Sequence, residues 1–410
     1  MSDVSICQVK KKLNIIEAVF IAFCLMPFIL PNPILKTDVQ PYALILGLVI
    51  IVINFFGIMS WEKKKGTTFF LVAAATLLVA LVVLIFSGLS MLSLRAIYNY
   101  MSVAVIPFAA YVVIRKLGRF PEGLIKALIL LWFIAGTVQL FISRSFLTGL
   151  ISGGRISENY RGVIGLASEP SFFGIACFYF LHMAMKFKKH HLFFVLLICG
   201  MGTVYAQSAM GIIFLVGFLA IYMLEMFRSK YGKYIWTAAI IAVAVFLVLL
   251  HTVLVDTRIY ELYSMFIGGG FDSVTKDESA GVRLNAILRS FGKAFDNNLM
   301  PLGYGERIGS GYGGFLCELG IFSLPILFFI SHTLARTFKK KLCRVLYFII
   351  VTVLLTNNTQ IGNPLLLFVI GMNIAMDALE QNDCSDDDAP SLSLEDQSVA
   401  AEDNDAGGAT

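Results

Sequence analysis

Charge is what this sequence lacks most. Only 14% of its 410 residues are Asp, Glu, Lys or Arg, against about 25% in ordinary soluble domains, and 58% are hydrophobic. A soluble globular fold is excluded, as are disordered, fibrous and disulfide-rich classes. Histidines are few, five in all, and none has metal-ligand spacing with another. No Asp-rich cluster and no GxxxxGK[ST] loop occurs, so neither a metal-dependent glycosyltransferase nor an ATPase is indicated, and no cofactor or metal is expected. Of the seven cysteines, Cys24, Cys177, Cys199 and Cys317 lie in apolar runs, while Cys7, Cys343 and Cys384 lie in segments assigned below to the cytosol. No disulfide framework follows, and all seven are expected as free thiols.

What is present is a series of apolar stretches, each near the roughly 20 residues that a transmembrane helix needs. They predict an all-α polytopic membrane protein of about 12 spans, near 14–30, 42–60, 68–88, 97–114, 124–143, 170–186, 191–206, 209–227, 235–253, 312–334, 345–357 and 362–378. The first run ends in Pro31-Asn32-Pro33 without a small-residue cleavage site and is therefore expected to be retained as a helix.

Twenty-one of the 32 basic residues fall at alternate ends of these spans, which the positive-inside rule makes cytoplasmic, together with both termini. The transmembrane body is then 1–378, with long outer loops at about 144–169 and 254–311. From Asp377 onward the chain carries 11 acids and no base, and the remaining 32 basic and 16 acidic residues give the body a charge of +16. Residues 379–410 are expected to be an acidic, disordered cytoplasmic tail.

The outer loops hold basic residues that topology does not require: Arg144, Arg155 and Arg161 in the first, and Arg258, Lys276, Arg283, Arg289, Lys293 and Arg307 in the second. Ordinary solvated charge is one explanation; an anionic partner is the other. Ser168-Glu169-Pro170-Ser171 opens the sixth span, with Ser168 as a fair N-cap and Pro170 in the first turn. Glu169 either complements the helix dipole, or faces a cavity where an arginine holds it or it serves as a general base. Between Gly281 and Met300, Leu284, Ile287, Leu288, Phe291 and Phe295 recur at helical spacing, with Arg289 and Lys293 opposite and Arg283 flanking. That pattern predicts an amphipathic helix along the outer membrane surface, either an anchor alone or one whose Arg283 and Arg289 reach a lipid-linked phosphate. The segment from Pro301 to Gly314 has six glycines, read as room for a bulky ligand or for a tight turn into span ten. Tyr304 and Tyr312 are the side chains it could offer a sugar.

The residues Arg161-Gly162, Gly165-Leu166, Ser168-Glu169-Pro170-Ser171 and Gly174 resemble bacterial O-antigen polymerases of the Wzy type. Arg283, Arg289, Pro301-Leu302-Gly303-Tyr304-Gly305 and Glu318-Leu319-Gly320 resemble the segment which that family shares with O-antigen ligases. The resemblance implies a GT-C-type membrane fold and a metal-independent inverting glycosyltransferase of the bacterial inner membrane. It would join undecaprenyl-diphosphate-linked oligosaccharide repeat units at the periplasmic face. On this view Glu169, Arg161 and Arg289 are catalytic candidates, and Arg155, Arg283, Lys293, Tyr304 and Tyr312 bind substrate. The lipid bilayer and a chain-length regulator are further candidate partners, and nucleic acid is not among them. Ligases carry a functional histidine in the large periplasmic loop; 254–311 has none, which favours a polymerase. A ligase, or a flippase for lipid-linked oligosaccharide, remains the alternative.

Overall fold

The computed structural model describes residues 12–29, 39–59, 67–155, 162–227, 258–275, 278–305, 308–357 and 359–387, with isolated positions between 232 and 255. The expected ninth span, 235–253, the tail beyond 387, and the basic clusters at 10–12, 63–65 and 228–233 lie wholly or mostly outside them.

Every apolar run within the described residues is helical, and no strand occurs among them. The helices are α1 Ile15–Leu25, α2 Tyr42–Ile53, α3 Phe55–Met59, α4 Thr68–Ser87, α5 Met91–Leu117, α6 Glu122–Phe141, α7 Pro170–Ala184, α8 His191–Gly200 and α9 Ala209–Met226. They continue as α10 Arg258–Thr275, α11 Glu278–Asp296, α12 Gly311–Leu319, α13 Leu324–Ala335, α14 Lys341–Thr356 and α15 Pro364–Asp387. Among the described residues, six stretches are long and apolar enough to cross a bilayer: α4, α5, α6, α9, the stretch from α12 through α13, and α15 up to Gln381. The protein is a multi-helix membrane protein.

Several boundaries differ from the sequence expectation, for local reasons. α1 stops at Leu25 instead of running to residue 30, because Pro27 disfavours the helical conformation in Met26, which sits at φ −128°, ψ 59°. The second span breaks at Asn54, whose side chain donates to the Ile50 carbonyl at 2.8 Å and ends α2. The fourth begins at Met91, earlier than expected, because Ser90 and Ser93 form a capping box. The seventh finishes in a π turn, Met201–Tyr205. An additional helix, α10, occupies the outer loop, kinked at Gly270.

The largest departure is span ten, which is not one rod. Gly320 takes φ 58°, ψ −141° between α12 and α13, a conformation costly for any residue with a Cβ. The Tyr312 hydroxyl reaches the carbonyl of Leu327 at 3.1 Å and lies 2.7 Å from Ser331 Oγ. In a straight helix Leu327 would stand about 22 Å further on, beyond any tyrosine's reach. The two halves therefore fold towards one another.

α5 and α15 are the centre of the bundle. Buried residues make up 67% and 72% of their membrane-length windows, against 28% for α4, which places α4 at the periphery. α5 packs against α2, α4 and α15, and α7 crosses α9 where Gly174 meets Gly211. Lipid tails are as apolar as leucine, so close backbone approach and internal polar bonds hold such helices together. One polar cluster sits within the bundle. The fully buried His182 of α7 bonds Thr337 through Nδ1 (2.7 Å) and Tyr347 of α14 through Nε2 (2.8 Å). Asn373 of α15 donates to Thr337 Oγ1 and to the Thr333 carbonyl, both at 3.1 Å.

Candidate functional site

Alternation of the helices gathers the loops at two ends. At one end the bases meet acids and carbonyls. Lys116 Nζ lies 2.6 Å from Glu17, Lys126 donates to the Lys189 carbonyl, Arg336 pairs with Asp377 at 3.1 Å, and the Lys339 amide donates to Glu225. This is the end expected to face the cytosol.

At the opposite end the first long loop is laid across the bundle by backbone and amide contacts. The Ser152 amide donates to the Phe28 carbonyl (2.9 Å), and Gln40 Nε2 donates to Ser152 Oγ (3.1 Å). Gln139 brackets Gly165, its Oε1 accepting from the amide and its Nε2 donating to the carbonyl. The Val163 amide donates to the Tyr205 carbonyl at the end of the π turn. The Arg155 amide donates to the Ser168 carbonyl, which brings the arginine to the mouth of α7.

Ser168 is not the cap of α7. Glu169 occupies that position in an extended conformation and makes no side-chain cap bond, with Pro170 as the first helical residue. Ser168 Oγ is buried without a hydrogen-bond partner among the described residues. The Glu169 carboxylate has a partner at each oxygen: Ser171 Oγ donates to Oε1, and Arg155 Nη1 forms an ion pair with Oε2 at 3.7 Å, beyond hydrogen-bond distance. The arginine that meets Glu169 among the described residues is thus Arg155. Arg161 lies outside them. Arg155 is largely exposed, so the pair contributes little stability and its value is geometric.

The second loop carries α11 as a docked surface helix. Its contact face is narrow: Ser290 and Ala294 are buried against Leu316 and Cys317 of α12, and the Cys317 thiol donates to the Ser290 carbonyl at 2.9 Å. Small residues on α12 permit this approach, since a Cβ on Gly313 would strike Ser290 Oγ. Gly303 and Gly311 likewise make room for the chain itself, beside Ser87 and Leu355, whereas a Cβ on Gly305 or Gly314 would meet nothing. Of the expected apolar stripe, Leu284, Ile287 and Phe291 are half-buried, but Leu288 and Phe295 project outward. Arg289 is exposed, and Arg283 and Lys293 are half-buried. Six residues of α-helix separate Arg283 from Arg289 by about 120° around the axis and about 9 Å along it. The two guanidiniums are therefore not on one face.

Tyr304 and Tyr312 turn inward. The Tyr304 hydroxyl donates to the Ala80 carbonyl at 2.7 Å; burial, together with the nearby Glu318 charge, raises the pKa of this phenol above its ordinary value. Tyr312 is bound to α13 as described above.

Beside Tyr304 stands a group that sequence reasoning did not assemble. Glu318 of α12 accepts a 2.5 Å hydrogen bond on Oε2 from the buried Tyr100 hydroxyl of α5. The Gly303 amide donates to the Glu318 carbonyl, and Arg95, five residues before Tyr100, attracts the carboxylate electrostatically. The Tyr100 ring lies 4.6 Å from Phe315 and 6.4 Å from Tyr304. Arg95 is an isolated base at the head of an apolar run, and Glu318 an isolated acid inside one; each is costly without a partner. That shared expense was the available signal.

α5 stands between the two carboxylates. Tyr100 faces Glu318, while Tyr98 donates to the Gln40 carbonyl and so touches the residue that holds the Arg155 loop. Among the described residues no three His, Cys, Asp or Glu side chains converge as metal ligands, and the five described cysteines are free. No protein-family model matches the chain, and no curated protein or solved structure shows significant similarity to it.

Proposed function

We propose that this protein is a surface-polysaccharide polymerase of the O-antigen type, a metal-independent inverting glycosyltransferase in the bacterial inner membrane. It joins undecaprenyl-diphosphate-linked repeat units at the periplasmic face, within a GT-C-type body of about 12 spans with both termini cytoplasmic. The observation that carries this reading is the Arg155–Glu169 pair at the head of α7, inside the segment that resembles such polymerases, at the opposite end from the basic cluster. Arginines at that end suit a diphosphate leaving group: planar guanidinium binds phosphate oxygens in pairs, and fixed positive charge stabilises the developing anion without a metal. Arg155, Arg161, Arg283, Arg289 and Lys293 supply that charge. Glu169, paired with Arg155 across 3.7 Å, orients it. Leu288 and Phe295 on the outer side of α11 meet lipid at headgroup depth, where Arg289 reaches the phosphates.

Deletion of the gene, with surface polysaccharide resolved by gel, tests the proposal. Loss of the ladder with a single repeat unit left on lipid A core is expected. Loss of every capped species would identify a ligase or flippase instead, and an unchanged ladder would exclude the polysaccharide reading.

A further inference from the structure

We infer that Glu318, rather than Glu169, is the carboxylate that takes the proton from the acceptor hydroxyl; this rests on the polymerase reading above. Glu169 already has a partner at each oxygen, since Ser171 donates to Oε1 and Arg155 forms a 3.7 Å ion pair with Oε2. Glu318 is differently placed. Tyr100 holds Oε2 at 2.5 Å and thereby fixes the carboxylate plane, while Oε1 has no hydrogen-bond partner among the described residues. The side chain is half-buried, partly shielded from bulk water without being sealed.

Its surroundings fit the task. The residues just before it, Leu316 and Cys317, are those on which Ala294 and Ser290 of α11 dock. The helix bearing Arg289 and Lys293 is thus fixed directly to the helix bearing the base. Arg95 attracts the carboxylate electrostatically. Tyr304, 6.4 Å from the Tyr100 ring, has its hydroxyl committed to Ala80.

The step balances within the two substrates and the protein. The acceptor O–H bond breaks as its oxygen bonds the anomeric carbon of the donor, and the proton passes to Glu318 Oε1. The bond from that carbon to the lipid diphosphate breaks on the opposite face, its electron pair leaving on the phosphate oxygen. The configuration inverts, and water later removes the proton.

The test uses the full-length protein in membranes, supplied with undecaprenyl-diphosphate-linked repeat units, with polymer followed by gel. Glu318→Gln keeps an acceptor for Tyr100 but cannot take a proton, and is expected to lose about 10²–10⁴-fold in rate at normal abundance. Glu169→Gln is expected to lose about fivefold, the worth of one exposed ion pair. Wild-type rates in Glu318→Gln overturn the assignment and leave the polymerase reading intact; a wild-type protein that makes no polymer overturns both. Should Glu318→Gln fail to accumulate, the wild-type protein decides. At mildly acidic pH, where carboxyls are protonated and so reactive, a hydrophobic carbodiimide is expected to modify Glu318, read by mass spectrometry of its peptide, and an unmodified Glu318 removes the open oxygen on which the inference stands.

Discussion

Nε2 of His182 lies 2.8 Å from the hydroxyl of Tyr347, in a part of the bundle where neither side chain has any exposed surface. With Nδ1 on Thr337, the imidazole joins α7, α14 and the turn after α13. Removing the Tyr347 hydroxyl strands a buried ring nitrogen, which costs about 1–3 kcal/mol. Tyr347→Phe is therefore expected to lower the thermal denaturation midpoint in detergent. Tyr222→Phe, which breaks the 3.0 Å bond to the half-buried His191, should lower it less, because water can replace the lost partner. Equal midpoints for Tyr347→Phe and the wild type would refute the structural weight given to His182.

The crossing of α7 and α9 leaves no room for a methyl group. A Cβ on Gly174 would lie 2.7 Å from the Cα of Gly211, and one on Gly211 would lie 2.6 Å from the Cα of Gly174. Either alanine must push the helices apart, at a cost of about 1–3 kcal/mol or more. Because both act on one contact, the double variant should cost less than the two singles together. The monodisperse fraction on size-exclusion chromatography reports this, and wild-type behaviour of Gly174→Ala would show that the crossing is looser.

The two ends of the bundle should differ in access. A cysteine replacing Arg144 is expected to react with a membrane-impermeant maleimide in spheroplasts whose inner membrane is intact. One replacing Lys340 should react only after that membrane is opened. The reverse pattern would invert the topology and set both carboxylates on the wrong side for a lipid-linked donor.

Shortening the chain separates the tail from the last helix. α15 continues to Asp387, and its Asp377 pairs with Arg336 at 3.1 Å. Truncation after Asp387 is expected to leave polymer length and yield unchanged, because the lost residues are polar and acidic. Truncation before Asp377 should reduce the amount of protein in the membrane, since it strips the partner from Arg336. A shortened ladder from the first truncation would assign the tail a working role.

Hydrophobic run length made the class of this fold legible, since an apolar stretch of membrane length has few alternatives to a helix. α4, α6, α7 and α9 start and stop close to where composition changes. Bends were less visible. Pro27 announces the end of α1, but Gly320 is one glycine among many, and only the contact from Tyr312 back to Leu327 reveals the fold-over. The site divides in the same way. Arg155, Glu169 and the amphipathic pattern of α11 are local and could be read. The bond from Tyr100 to Glu318 spans 218 positions, and no periodicity encodes it. Ser168 was misassigned as the cap because a serine before Pro170 satisfies the local rule equally well, while the backbone that decides the matter is set by the Arg155 loop.

The bend at Gly320 also determines how force travels in this molecule. α11 grips α12 through Ser290, Ala294 and Cys317, while α12 is tied to α13 both by the glycine turn and by Tyr312 reaching Leu327 and Ser331, so the three helices form one braced unit. Glu318 sits two residues from that turn, so the brace that holds α11 in place also fixes the carboxylate against Tyr100.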